Sequence, residues 1–221
     1  MSIKNFDKVW KRQSQEESAR TNIENKEIEL FKENKINSIL DIGCGDGSND
    51  LLLAKKGFAI TGIDISKTGL KIAKEKTKEF KTQYILYDIF KTLPFKDNSF
   101  DAIMAYQSLN HAKKPLIISA FKDISRVLNL NGVFAIRIAN RSSFNLEKIR
   151  DNVFYDKDYN VTFEEIESQT FLGLDGDEKG IEIYAFYEEE LISNLEEIGF
   201  KLINSRITSH HIIANFKNCK K

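Results

Sequence analysis

Most of the residues that could do chemistry lie in one short stretch, Ile39-Leu40-Asp41-Ile42-Gly43-Cys44-Gly45-Asp46-Gly47. It is an apolar run ending in glycine at every second position. Without a Cβ, glycine lets backbone N–H groups approach a ligand closely. Twenty-one residues after Gly43, a second apolar run ends at Gly62-Ile63-Asp64. A carboxylate there accepts hydrogen bonds only, and beside the first turn it could take one from each hydroxyl of a ribose. The two features together point to an adenosine-type ligand. The dinucleotide fingerprint would require glycine at positions 43, 45 and 48, but position 48 is Ser48. Taken alone, the three glycines could equally make a tight turn in some other α/β domain.

For these residues to meet, strands must deliver them to one edge of a sheet. The hydrophobic pattern predicts strands over Ile36–Asp41, Phe58–Ile63, Gln83–Tyr87, Phe100–Ala105 and Gly132–Ile138, and helices over Asp50–Lys56, Lys67–Phe80 and Leu116–Leu128. Such alternation implies βαβ units, a parallel sheet covered on both faces, and ligand binding at the carboxyl ends of the strands. On this pattern Asp64, Asp88 and Asp101 are expected at successive strand ends. Ahead of the core, residues 1–35 are highly charged, with Ile23, Ile28, Leu30 and Phe31 at helical spacing behind the aromatics Phe6 and Trp10, which predicts a helical cap. After Ala139 the rhythm breaks. Residues 141–180 are polar, aromatic-rich and weakly periodic, and Ile181–Tyr187 resumes as a strand-like run. Glu188, Glu189 and Glu190 then open a helix that Gly199 stops, and two strands, Lys201–Ile207 and His210–Phe216, close the sheet. The expectation is one domain over residues 1–221. It comprises a cap (1–35), a ligand-binding core (36–139), an insertion covering the substrate (140–187) and a closing helix with strands (188–221).

Composition narrows the function. The chain has 221 residues, 41% hydrophobic and 30% charged, with Lys+Arg and Asp+Glu equal at 33 each. This is an ordinary globular balance with no overall positive field to attract DNA or RNA. No run approaches the ~18 apolar residues of a membrane span, and the charged first thirty residues lack a signal-peptide core, so no membrane partner and a cytoplasmic location are expected. The two cysteines, Cys44 and Cys219, offer neither a disulfide framework nor a zinc site. His210 and His211 are adjacent on a strand and point to opposite faces, so no metal is expected there.

The G-x-G-x-G spacing, with Asp41 two residues before the first glycine, resembles motif I of the class I S-adenosylmethionine-dependent methyltransferases. The resemblance runs in continuous register over residues 36–139. It takes in Tyr87-Asp88-Ile89, Leu93-Pro94-Phe95, Ser99-Phe100-Asp101, Arg126-Val127-Leu128 and Leu130-Asn131-Gly132-Val133, with a looser echo at Tyr187–Phe200. Where the family commonly has Pro-Gly, this chain has Asn131-Gly132, and Asn is able to keep such a turn. The resemblance implies a three-layer Rossmann-like fold with a mostly parallel seven-stranded sheet and helices on both faces. It also implies S-adenosylmethionine as cofactor and S-adenosylhomocysteine as product. By carry-over, Asp41, Gly43, Cys44, Gly45 and Gly47 lie beside the methionine part, Asp64 holds the ribose, Asp88 accepts from the adenine amino group, and Ile65 and Ile89 sandwich the ring. Plainer roles stand beside these: a helix cap for Asp64, a solvated turn for Asp88, ordinary core for the two isoleucines.

The end of the fourth strand is where this family brings cofactor and acceptor together. Tyr106 could present its face to a sulfonium or simply pack in the core, and His111 could take a proton from an acceptor or serve a structural hydrogen bond. Several acceptor classes are excluded by absence. Pro94 and Pro115 make no Pro-Pro-Tyr motif of the DNA exocyclic-amine enzymes, Cys44 in the glycine loop and Cys219 in the tail are not placed as the nucleophile that cytosine-C5 enzymes carry after strand four, and no acidic cluster lies where catechol-type enzymes hold magnesium. The expected partner is a small-molecule acceptor, met by a monomer or homodimer, with Trp10, Tyr155 and Tyr159 as substrate-binding residues. The alternatives are a protein or RNA methyltransferase, or a protein that binds S-adenosylmethionine without turnover. The insertion is aromatic-rich, with Phe144, Phe154, Phe163 and Phe171 beside those tyrosines, and carries ten acids against five bases over residues 141–180. The aromatics suit a partly apolar pocket or, equally, a satellite hydrophobic cluster, and the charge disfavours a polyphosphate.

Overall fold

Strand residues alternate between two buried layers, which is why the core strands read as continuous apolar runs. In the computed structural model, which describes residues 23–220 apart from positions 145, 158, 159 and 177, β1 (Ser38–Ile42) pairs in parallel with β2 (Ala59–Asp64) and β4 (Phe100–Tyr106). Strands β3 (Thr82–Leu86), β5 (Leu128–Ala139), β11 (Phe200–Ile207) and β12 (His211–Asn218) complete a seven-stranded sheet in the order β11-β12-β5-β4-β1-β2-β3. Only β12 runs antiparallel to its neighbours. This is the expected Rossmann-like, mostly parallel arrangement.

Leu40, Ile42, Ile103, Phe134 and Ile136 face α4 (Lys114–Val127) and α5 (Glu188–Ile198), against Phe121, Ile124, Leu191 and Leu195. Their neighbours in sequence, Ile39, Ala102, Met104 and Ala135, face the other way, toward Ile28 and Phe31 of α1 (Asn25–Glu33) and Leu53 of α2 (Ser48–Lys55). Each fully buried Leu, Ile or Phe contributes about 1.5–3 kcal/mol, so this double-sided core fixes the strand register and thereby the positions of the strand ends.

Three elements differ from the sequence reading. The helix expected over 67–80 is α3 (Lys67–Lys76), because the Thr77 hydroxyl donates back to the Ala73 carbonyl at 2.8 Å and the chain turns there. Strand β5 starts at Leu128. The Asn131-Gly132 turn is kept inside it as an irregularity, with Asn131 at φ 63° and pairing resuming at Ala102↔Val133. The insertion is not loop-rich: β6 (Leu146–Arg150), β7 (Val153–Asp156), β8 (Val161–Glu167), β9 (Thr170–Gly173) and β10 (Glu182–Tyr184) form a second, antiparallel sheet. Asn152, Asn160 and Gln169 take positive φ at the hairpin turns, a conformation Asn tolerates better than most residues.

This second sheet sits on the carboxyl end of the first. Tyr184 N–H donates to the Asn110 carbonyl at 2.8 Å, Phe186 N–H donates to that of Ala139 at 3.0 Å, and Lys113 pairs with Glu167 at 2.5 Å. Among the described residues, no helix is long and apolar enough to cross a membrane.

Candidate active site

Gly43, Gly45 and Gly47 all have left-handed φ, at 78°, 54° and 71°, a conformation that strains any L side chain. Space forbids a side chain as well: a methyl on Gly43 would lie 2.3 Å from Ser108 Cβ, and one on Gly47 would lie 2.7 Å from Ala73 Cβ. The turn is held by its own N–H groups. Those of Gly43 and Cys44 donate to the Ile63 carbonyl at 2.8 and 3.1 Å, and that of Gly45 donates to Asp64 Oδ2 at 2.9 Å. Asp64 Oδ1 also accepts from Ser66 N–H at 2.7 Å, and the Ser66 hydroxyl caps α3 by accepting from Gly69 N–H at 3.1 Å. The cap expected as an alternative role for Asp64 thus belongs to Ser66, and Asp64 ties the glycine turn to the start of α3.

Asp41 and Cys44 lie behind the turn, both buried. The Asp41 carboxyl titrates well above the usual carboxylate range because of its burial and its neighbours Asp50 and Asp64, and burial with the same acids keeps the Cys44 thiol protonated. Asp88, after β3, is half-buried and accepts from Phe90 N–H at 3.1 Å in a local turn. Tyr87 N–H donates to the Asp64 carbonyl at 2.9 Å, which brings the Asp88 and Asp64 segments side by side. Ile65 and Ile89 are each half-buried.

Asp101 is at the opposite end of the sheet from the one expected. It opens β4, accepts from Asn37 N–H, Ser38 N–H and the Ser38 hydroxyl at 3.0–3.1 Å, and anchors the start of β1. The sequence spacing misleads because Asp101 is the second residue of its strand and the site lies beyond the last.

At the carboxyl end of β4, Tyr106 is buried in the α1-facing cluster, and its hydroxyl has no hydrogen-bond partner among the described residues. Burial raises its pKa, as does Glu27, while Arg206 and Arg137 oppose the rise. Gln107 follows with φ 58°, a costly conformation for a non-glycine residue, found at functional sites when the surroundings enforce it. The Ser108 hydroxyl donates to the Ile42 carbonyl at 2.6 Å and locks this segment to the glycine turn. His111 Nε2 donates to the Gln107 carbonyl at 3.1 Å, and burial pushes its pKa down to about 4, so the ring is neutral at pH 7.

Sequence reasoning missed four residues here: Asp50, Arg137, His211 and Asn110. Arg137 Nη2 stands 3.4 Å from His211 Nδ1, and His211 Nε2 stands 2.8 Å from the Gln107 amide. The Gln107 atom at that distance is its amide nitrogen, which only donates, so His211 Nε2 is the acceptor. Burial, Arg137 and His210 push the His211 pKa down to about 3. Asn110 is buried, and its side-chain oxygen is without a hydrogen-bond partner. No periodicity signals these residues: the pairing of β12 with β5 brings Arg137 and His211 together, while Asp50 arrives on α2 and Asn110 on the segment after β4.

The structure does not gather the insertion aromatics at the site. Phe144, Phe163 and Phe171 pack on one another, with Phe144 and Phe171 stacked at 5.2 Å, as the satellite-cluster alternative requires. Tyr155 is half-buried and bonds Asn160. Trp10 and Tyr159 lie outside the described residues. A surface hollow of about 450 Å³ lies along the outside of α3, lined by Lys67, Leu70, Lys71 and Leu86, and includes none of the site residues.

Residues 40–136 match the family model for a methyltransferase domain. The chain is similar to the YqeM protein of Bacillus subtilis (strain 168), at 34% identity over 128 residues, covering 57% of this chain and 51% of that protein. It is also similar to the demethylmenaquinone methyltransferase of Tropheryma whipplei (strain Twist), at 39% identity over 95 residues, covering 42% of this chain and 38% of that one. The chain thus spans about half the length of these relatives or less. In three dimensions it is similar to the crystal structure of an S-adenosylmethionine-dependent methyltransferase from Methanosarcina mazei. The TM-score is 0.68 at 24% identity, covering 84% of this chain and 93% of that one, a likeness of fold.

Proposed function

We propose that this chain, whose residues 40–136 match the family model for a methyltransferase domain, is a class I S-adenosylmethionine-dependent enzyme that transfers the methyl group of S-adenosylmethionine to a small-molecule acceptor, leaving S-adenosylhomocysteine. One observation carries the reading: three left-handed glycines, with no room for a Cβ at Gly43 or Gly47, close onto Asp64 at the carboxyl ends of β1 and β2. These residues fit the cofactor. Asp64 presents an acceptor-only carboxylate beside the glycine turn, to which Gly45 and Ser66 N–H groups donate, and such a carboxylate suits ribose hydroxyls. Half-buried Ile65 and Ile89 suit the faces of an adenine, and Asp88 suits its amino group.

The cofactor supplies an electrophilic methyl carbon when bound, so the protein's work is alignment and exclusion of water. Asp41 and Cys44 back the turn, and Ser108 holds the end of β4 against it. In this reading His111 is a positioning residue that fixes the strained Gln107, because a ring with a pKa near 4 is a weak base at pH 7. On the same reading the acidic second sheet covers the acceptor with Tyr155 among its contacts; Trp10 and Tyr159, the other contacts expected from the sequence, lie outside the described residues. A relative named for demethylmenaquinone supports a small acceptor.

Calorimetry with S-adenosylmethionine and S-adenosylhomocysteine, followed by labelled-methyl transfer to metabolite extract, RNA and protein, tests the reading. Micromolar cofactor binding with transfer into the small-molecule fraction is expected. Transfer confined to RNA or protein would overturn the acceptor class, and binding without any transfer would leave a sensor.

A further inference from the structure

Beneath the glycine turn lie two acids that none of the roles above requires to be neighbours. Asp41 is the fourth residue of β1 and Asp50 the third of α2, with solvent exposures of 2% and 0%. The Asp50 carboxyl is faced by the carboxyl of Asp41 and by the Tyr84 hydroxyl. Among the described residues no cationic side chain pairs with either acid. Tyr84 reaches in across Gly62, where a methyl would stand 2.7 Å from its ring, and its hydroxyl accepts from Thr77 Oγ1 at 3.2 Å. The Cys44 thiol and Asp64 face the pair from the turn and from β2. Asp46 faces it from the loop and is itself paired with Lys76. Two carboxyls buried side by side cannot both ionise cheaply, so they share a proton and the pair carries one negative charge.

Resting on the cofactor reading above, we infer that the Asp41–Asp50 pair is a proton-sharing positioning element. Its charge, held under the glycine turn, favours the cationic sulfonium cofactor over its neutral thioether product and gives up its proton as the cation binds. A positive ligand beside the turn stabilises the doubly ionised pair, so binding releases a proton by linkage, whereas the thioether, one positive charge poorer, releases less. The upward shifts of both groups, of Asp50 to about 6, agree with a single shared proton. Asp50 touches no ligand in this account. It acts through Asp41 and the turn.

Calorimetry of both ligands on the full chain, in two buffers of different ionisation enthalpy at pH 7, tests the inference with Asp50→Asn. The expected result is net proton release with S-adenosylmethionine in the wild type and none in the variant. Affinity for S-adenosylmethionine should fall about tenfold, while that for S-adenosylhomocysteine changes much less. A third reading needs no ligand. Both carboxyls titrate higher in the fold than in the unfolded chain, so their contribution to stability is fully present below about pH 4. It is lost as pH rises through about 6 for Asp50, and for Asp41 as pH rises through its own raised pKa. The Tm of Asp50→Asn should therefore gain on the wild type as pH is raised. Equal losses for both ligands, or proton release unchanged in the variant, would overturn the inference. A wild type that binds neither ligand overturns the cofactor reading, while the unliganded Tm profile still reports whether the proton is shared. Should Asp50→Asn not fold, Asp50→Leu carries the same three readings.

Discussion

Glu27 on α1 and Arg206 on β11, 179 positions apart, meet at 2.8 Å with the Glu27 side chain almost fully buried. The same guanidinium holds Glu24 at 3.0 Å, and Glu27 Oε2 accepts from Glu24 N–H at 3.0 Å, closing the N-terminal turn of α1. A helix near the amino end of the chain is thereby tied to the edge strand at its other end, over the buried Tyr106. Removing one partner of such a pair leaves an uncompensated buried charge. Arg206→Ala is expected to destabilise the protein by on the order of 3 kcal/mol, and Arg206→Met with Glu27→Leu by much less, as urea denaturation of the three proteins would reveal. Equal losses in the single and double variants would mean that the pair does not hold α1 down.

Asp64→Ala removes the acceptor for Gly45 and Ser66 N–H groups together with the proposed ribose contact. S-adenosylmethionine affinity should fall by about 1.5–3 kcal/mol, measured by calorimetry. Asp64→Asn keeps one acceptor oxygen and is expected to fall between the two. Unchanged affinity in folded Asp64→Ala would take this residue out of the site.

Gly43→Ala should be strongly damaging for a single-methyl change. It places a Cβ at φ 78° and 2.3 Å from Ser108 Cβ. We expect a drop in Tm and loss of cofactor binding. Ser108→Gly in the same protein should restore part of the Tm by relieving the clash but not the left-handed strain. Full recovery would show that space alone, without backbone conformation, requires glycine there.

His111 is held neutral, with its pKa near 4, so the rate of methyl transfer should show no limb between pH 5 and 8 that His111→Gln removes. The substitution should instead lower Tm and kcat together, at all pH values, by loosening Gln107. A limb near pH 6–7 lost in His111→Gln would assign the base to this residue.

Within the insertion, Phe171→Ala opens a cavity in a fully buried cluster and should lower stability by about 3–5 kcal/mol. Tyr155→Ala, at a half-buried position, should raise the acceptor KM while sparing Tm and cofactor affinity. The reverse pattern would place the acceptor against the phenylalanines.

Local rules were enough to expose the βαβ core and the cofactor turn. Alternating apolar residues, a G-x-G-x-G run after Asp41 and an acid at Asp64 each act through neighbours in sequence or through adjacent parallel strands, whose geometry is nearly fixed once the pattern is read. The second sheet was hidden because its strands are short and mostly half-exposed. Its register is set by the turns at Asn152, Asn160 and Gln169 and by burial of Phe163 and Phe171, not by a strong period. Asp101 shows the complementary error: its place in sequence resembles that of Asp64, but which end of a strand an acid occupies depends on where the strand begins. Only the tertiary structure brings Arg137 and His211 to Gln107, Glu27 to Arg206 and Asp50 to Asp41. Burial, charge pairing and proton sharing are properties of the assembled neighbourhood, and no residue carries them in its sequence context alone.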